Sequence, residues 1–582
     1  MMGDFVGMDP GGVRRLASAL RDMRAQAAML KPILGESIEQ AGRDFPGGPG
    51  TVALDRLIRF ADESAADIDW RVATLERMDR SRDGFGMLSG DLPFPSLGAA
   101  KQSGLVAGAE GRRLWEAYRR DPSGANRQAL REWLRGVGTT KTRDAEYASA
   151  MLGGLGRANF KALVTDLARG SAGGHGLSAD ELEGVRADLE PIAEAVASAE
   201  AAGRLRAEIR DEVLNGIPIA GLSAMLALAD QPRSLLVPTA RVLVQHSDAQ
   251  GAEPNWNNHW TVGALARDPL AMQEFMGRRS DLTLLLRPSV TKGTHTPGFE
   301  RLLAQAMNGA TAPGSGDAGL RREAYINTVN VLADKNMWPT LRDSPLNRVL
   351  AENSGQYLPQ LAGIAAAHDE NAPEFHPGKP WDQVKSDTAG RFFAGVLQEP
   401  TAAPILRDHY RAFVRDLDLT DADPFGRASD PAVREVQRAK FHDAGARAGG
   451  LGSLFLDGIA QADLSYEERR EALESLVGLP VTYIVNSAVG APGLGGQIQE
   501  ELVNRTVVAP VVDFAFSLND KDYAQASVEM ERLVDTQLAR LADQRHQDGL
   551  PALSKSDQGI LRNYIQGLYA ESMVRSLAQR GG

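Results

Sequence analysis

Cysteine does not occur in this chain. Its absence excludes disulfides, a thiolate nucleophile and Cys-ligated zinc. Histidine is scarce, with nine residues among 582. His-Glu-x-x-His, Gly-x-Ser-x-Gly and the P-loop pattern are all missing from the sequence, so hydrolase, metalloprotease and nucleotide chemistry find no recognisable centre. No catalytic residue, metal ligand or cofactor is assigned. Carboxylates gathered only by the fold do not show in a sequence, which keeps a hydrolase of unfamiliar type as one alternative.

Basic clusters are also lacking. Sixty-four Lys and Arg face 76 Asp and Glu, a net charge of −12, and the cations are interspersed with acids, as in Arg119-Arg120-Asp121. A phosphate backbone needs a local basic patch, so nucleic acid is not an expected partner.

Long unbroken apolar runs are missing as well. Ser475–Gly496 is uncharged but holds Pro480, Pro492 and five glycines, which interrupt the hydrogen bonding that a spanning helix requires. The wider apolar stretch 475–518 includes Glu500, Glu501, Arg505 and Asp513, which are expensive in hydrocarbon. The expectation is a core hairpin, and the alternative is a membrane-active or toxin-like segment. The opening Met1-Met2-Gly3-Asp4-Phe5 has no basic stretch leading into an apolar core, so a cleaved Sec or Tat leader is not expected.

What the chain does contain is helical periodicity. Apolar residues make up 43% and charged residues 24%, an ordinary globular composition. Asp9-Pro10 reads as an N-cap followed by proline at the first helical position. Val13, Leu16, Leu20, Met23, Ala27, Leu30 and Leu34 then recur in steps of three and four, with Pro32 expected to kink or end the helix. Phe45–Gly50 is a breaker. A second stripe follows a predicted cap at Thr51: Leu54, Ile58, Ala61, Ala65, Ile68, Val72 and Leu75. Two helices of similar length, each with one seam, predict an antiparallel hairpin that leaves a second surface needing cover.

The predicted organisation is all-α: hairpin 1–82, linker 83–106, helical body 107–307, flexible linker 308–320, and a second helical part 321–582 with its apolar hairpin near 475–518. Body helices are expected near 111–118, 125–135, 144–155 and 158–167. Ser178 and Glu181 form a capping box opening a helix to about Ala201. Amphipathic runs close the chain at 523–542 and 558–578. Period-2 strands are not evident.

Three local patterns compete for a functional reading. Gly314–Gly319 fits Gly-x-Gly-x-x-Gly by letter, but no strand precedes it, as a dinucleotide site requires. His368, Asp369, Glu370, Glu374 and His376 fall in a loop around Pro373 and read as a solvated helix end. Trp256, His259 and Trp260 flank two amides; they form a candidate pocket, against the plainer reading of a core anchor.

The first 80 residues resemble the Trp-x-Gly hairpin family of type VII (ESX) secretion substrates of actinobacteria, through Gly7-Met8-Asp9-Pro10, the heptad-like first helix, the Phe45–Gly50 connector and the second helix. Pro46-Gly47-Gly48 stands at the bend in place of Trp-x-Gly, and no Tyr is followed four residues later by Asp or Glu. Asp144–Ala148 with Leu155-Gly156, Asp268–Ala271 and Arg348–Ala351 are similar to fragments of large uncharacterised actinobacterial helical proteins. The resemblance implies a non-enzymatic interaction protein with a helical protein partner on the hairpin. It also implies a secreted or cell-surface location by a non-Sec route, the other possibility being cytoplasmic. It transfers no catalytic residue.

Overall fold

The computed structural model describes residues 4–41, 48–78, 88–169, 176–246, 255–288, 296–366, 381–399, 401–416, 429–462 and 523–547. The architecture is all-α, with one two-stranded antiparallel ribbon. The expected apolar hairpin at 475–518, the histidine–acid cluster at 368–376, residues 45–47 of the connector and the 558–578 run lie outside the described residues.

The chain forms two compact units, Met1–His246 with Trp256–Ala264, and Ser247–Asn255 with Leu265–Gly582. The division falls within a helix, not at 308–320 as the sequence suggested. Two helix ends and the turn between them occupy that segment. Its first four residues belong to a helix ending at Thr311, and Asp317 caps the next helix through the amides of Gly319 and Leu320. Gln273 spans the turn between them, donating to the carbonyls of Ala310 and Ser315 and accepting the Asp317 amide at 2.9 Å. A turn whose polar groups are satisfied by one buried side chain is held in place despite its glycine-rich composition.

In the first unit, β1 (Asp4–Met8) leads into α1 (Pro10–Ala41), and α2 (Gly48–Met78) returns antiparallel to it. Asp9 caps α1 through the amides of Gly11 and Gly12. The helix passes through Pro32 without ending there, because its last turns still pack on α2, with Leu34 lying against Gly50. α2 opens at Gly48, three residues before the predicted cap.

β2 (Leu88–Leu92) pairs with β1, Asp4 opposite Leu92 and Met8 opposite Leu88. β2 and the start of the next helix lie in the stretch expected to be a linker at 83–106. Five residues containing a glycine carry too little alternation to be legible, and pairing is decided by tertiary context.

α3 (Leu97–Arg120), α4 (Gly124–Thr142), α5 (Ala145–Leu155) and α6 (Arg157–Leu167) follow. α3 starts well before the predicted segment at 111–118, because its glycines make contact and do not break the helix. A Cβ on Gly104 would stand 2.4 Å from the Tyr147 carbonyl oxygen, and one on Gly108 2.2 Å from that of Met151. Gly111 leaves room for the Trp133 ring. The three glycines let α3 lie directly on α5 and α4, at the expense of helix propensity.

α7 (Ala179–Ala201) begins with the expected Ser178–Glu181 box and is buried on nearly every side from Leu189 to Ala199. α8 (Ala207–Asn215), α9 (Ile219–Leu228) and α10 (Arg233–Gln245) complete the body of this unit. α9 is apolar all round and buried, as a central core helix should be. Among the described residues no single helix is long and apolar enough to cross a membrane; α8 and α9 reach that length and composition only together, and they are bent by 113°.

α11 (Trp256–Arg267) precedes α12 (Pro269–Met276) and α13 (Arg279–Leu285). In the second unit α14 (Phe299–Thr311), α15 (Ala318–Leu332), α16 (Pro345–Ser354), α17 (Leu358–Ala366), α18 (Ser386–Val396), α19 (Ala402–Arg415), α20 (Pro431–Gln461) and α21 (Tyr523–Gln547) follow. Their core is an aromatic column. Tyr325 is fully buried, stacks on Tyr357 at 4.0 Å and donates to Ser354 Oγ at 2.8 Å. Phe392, Phe393, Phe455 and Tyr410 continue the column.

Candidate functional site

The hairpin is the feature with the clearest surface chemistry. Four ion pairs cross it: Arg14–Glu76 at 2.5 Å, Arg21–Asp69, Arg24–Asp62 at 3.1 Å and Lys31–Asp55 at 2.6 Å. As the α1 number rises the α2 number falls, which establishes the antiparallel register. In each pair α1 supplies the cation and α2 the carboxylate. Half-exposed pairs of this kind add little stability, and their larger effect is to fix which faces meet.

All seven predicted α2 seam residues face inward. Ala61, Ala65, Val72 and Leu75 are buried, and Leu54, Ile58 and Ile68 are half-buried. On α1, Ala27 is buried, and Leu20 and Met23 are half-buried. Leu16 and Leu30 are not in the seam, being 54% and 55% exposed, and Met23 lies at its edge. The α1 seam instead follows Val13, Ala17, Leu20, Arg24, Ala27, Lys31 and Leu34, in which Ala17 is buried and the two cations reach across to α2 carboxylates. Hydropathy alone favours bulk, whereas the helix presents small residues and long cations so that the backbones can approach.

Leu16 and Leu30, outside the seam, begin a second stripe. Leu16, Met23 and Leu30 recur every seven residues along one flank of α1, broadened by exposed Met29 and Ile33. Leu57 and Phe60 occupy the same rotational flank of α2, with Phe60 61% exposed. In an antiparallel pair related by a two-fold axis normal to the hairpin, equal rotational flanks share one face. The hairpin therefore carries a continuous apolar face beside its seam.

The other end of α2 is fixed to the body. The buried Trp70 indole donates to Asp144 Oδ2 at 2.5 Å, joined by Thr74 Oγ1 at 3.3 Å. Arg71 donates to the Pro95 carbonyl, and Arg77 to that of Ser198 at 2.8 Å. Burial pushes the Asp144 carboxyl above the usual range, opposed by the amides of Tyr147 and Glu146 and by the Trp70 and Thr74 hydrogen bonds. Burial likewise lowers Arg77, against the attraction of Asp144 and Glu194. The sequence does not signal these anchor residues. Asp144 looks like an ordinary helix start, and Trp70 lies off the stripe.

The aromatic trio predicted as a pocket is brought together. Trp256 stacks on Trp260 at 5.4 Å, and His259 lies 5.2 Å from the first ring and 4.9 Å, edge-on, from the second. The Trp260 indole donates to the Leu177 carbonyl at 2.7 Å, and Asn257 Oδ1 accepts from Ser223 Oγ at 2.5 Å. Gly176, at φ +87°, passes so close that a Cβ there would meet Asn257 at 2.6 Å. These contacts tie the half-buried trio to the Gly176–Leu177 segment. Burial lowers the His259 imidazole from its ordinary value.

Among the described residues no group of three or more His, Asp or Glu is placed to hold a metal ion. The Gly314–Gly319 match is the turn latched by Gln273, with no strand before it. Comparison with family models, with curated proteins and with solved structures finds no match for the chain.

Proposed function

We propose that the protein works as an interaction protein whose N-terminal hairpin takes a helical protein partner on its exposed apolar face. The observation that carries this reading is the stripe Leu16, Met23 and Leu30, flanked by Ile33, Leu57 and Phe60 and standing outside the seam. A seven-residue apolar repeat is the pattern a neighbouring helix reads, and apolar side chains gathered on one exposed face mark interaction surfaces. The anchored α2 base supports the reading by holding that face in a fixed orientation, which lowers the entropy lost on association.

The type VII-like opening extends the proposal to an actinobacterial protein exported, or held at the cell surface, by a non-Sec route. Blue-native electrophoresis of cell extracts compares the wild type with Leu30→Lys and Phe60→Lys. Loss of a larger wild-type species in both variants supports the partner reading, and a wild-type chain running only as a monomer contradicts it. Blots of culture supernatant and surface fractions, with a cytoplasmic marker as control, test export; confinement to the cytosol contradicts that part alone.

A further inference from the structure

The chain holds 15 methionines and no cysteine, which leaves the thioether as its main target for a two-electron oxidant. The fold distributes those sulfurs unevenly. Outside the hairpin, Met151, Met225, Met272, Met276, Met307 and Met337 are all buried. Within the hairpin, Met23 and Met78 are half-buried, and Met29 is 65% exposed. Among the residues whose side chains are described, Met29 is the one methionine that stands mostly in solvent.

We propose that Met29 is an oxidation site, and that its conversion to the sulfoxide by a peroxide releases the partner held on the hairpin's apolar face. The inference rests on the partner-binding reading of that face and adds its regulation.

The place of Met29 on α1 carries the argument. It precedes Ile33 by four residues, and Ile33 follows Leu30 by three. Residues three and four apart are neighbours on a helix surface. Met29 therefore borders the face where Leu30 and Ile33, 55% and 59% exposed, give it much of its area. Leu16, Met23, Met29, Leu30, Ile33, Leu57 and Phe60 include no charged side chain, so apolar contact is what this face offers a partner. A new polar atom at its border opposes that contact, because covering an acceptor without giving it a donor costs free energy.

The chemistry is self-contained. The thioether sulfur attacks one peroxide oxygen, an S–O bond forms and the O–O bond breaks. Sulfur gives up two electrons, and the departing oxygen leaves as water once it has taken up a proton. The flexible apolar side chain becomes a polar one, and sulfoxide reductases reverse the change. In that reversal the oxygen leaves as water while two thiols of the reductant become a disulfide. A seated partner also shields Met29, so binding and oxidation oppose each other.

The test treats the purified full chain, and extracts of producing cells, with hydrogen peroxide at doses that leave the far-ultraviolet circular dichroism of the pure protein unchanged. Peptide mass spectrometry is expected to find the Met29 sulfoxide forming at least several-fold faster than that of Met151, Met225 or Met272. On blue-native gels of the extracts, the larger wild-type species is expected to be lost with peroxide and to return after methionine sulfoxide reductases act with a thiol donor. Each variant is compared with its own untreated extract, and Met29→Leu is expected to lose a smaller fraction of its larger species than the wild type. Met29→Gln, a polar stand-in for the sulfoxide, is expected to show less of that species without any peroxide. The proposal is overturned if Met29 oxidises no faster than the buried methionines, or if the wild-type species survives full oxidation of Met29. It is also overturned if Met29→Leu is as sensitive to peroxide as the wild type, or if Met29→Gln forms as much of the species. An untreated wild type without a larger species instead contradicts the partner reading itself, and this inference falls with it.

Discussion

Trp70 and Asp144, 74 positions apart, meet in a buried 2.5 Å hydrogen bond, and the same carboxylate caps α5 through the amides of Glu146 at 3.0 Å and Tyr147 at 2.9 Å. One side chain thus starts a body helix and ties the hairpin to it. Asp144→Ala removes the cap and leaves the indole N–H without an acceptor, a combined cost of about 2–4 kcal/mol. Trp70→Phe leaves the cap intact and is expected to cost less. Denaturant titration of the three proteins checks the order, which fails if the two variants are equally stable.

The glycine stripe of α3 makes a sharper demand. At Gly108 a methyl group would press on the Met151 carbonyl and on Gly154 of the facing helix, so Gly108→Ala is expected to destabilise by more than about 3 kcal/mol. At Gly136 in α4, a Cβ would meet nothing within 4 Å, and Gly136→Ala is expected to be neutral or to stabilise by up to about 1 kcal/mol. Equal effects at the two positions would remove the close-approach argument.

His259 predicts a pH dependence. Burial favours its neutral form in the fold, so the unfolded chain takes up a proton more readily than the folded one. Its stabilising contribution is therefore present above the ordinary histidine value near 6.5 and is lost as pH falls from there through the lowered folded value. Comparing unfolding free energies at about pH 7.5 and about pH 5.5, on either side of that ordinary value, the wild type is expected to lose more than His259→Gln. An equal loss would mean that the Trp256–Trp260 stack does not sense this proton.

The seam phase can be tested by substitution on either side of it. Ala61 is fully buried between the two helices, so Ala61→Leu overpacks the seam and is expected to cost about 1–3 kcal/mol. Leu30→Gln, on the exposed stripe, is expected to change the stability of the isolated chain by no more than about 0.5 kcal/mol. Thermal melts of both variants decide whether Leu30 lies outside the seam.

Much of this architecture is legible in the sequence because helices announce themselves by period and caps. The Asp9-Pro10 start, the Ser178–Glu181 box and the complete α2 stripe appear where the sequence places them. The misreadings share a physical cause. On α1, Leu16 and Leu30 outweigh Ala17, Arg24 and Lys31 in hydropathy, although alanines and cations that reach an opposing acid make the closer seam. Gly104, Gly108, Gly314 and Gly316 look like breaks, but close helix contact and a Gln273 latch depend on partners distant in sequence.

The most direct test of the partner-binding face is site-specific photo-crosslinking in producing cells. A benzophenone amino acid in place of Leu30 or Phe60 is expected to give a heavier covalent species containing a second protein, and one in place of Ala25, exposed on the opposite flank of α1, is expected to give none. Abundant full-length protein that forms no adduct from the Leu30 or Phe60 position, or forms it equally from that of Ala25, would contradict the proposal that this face receives a helical partner.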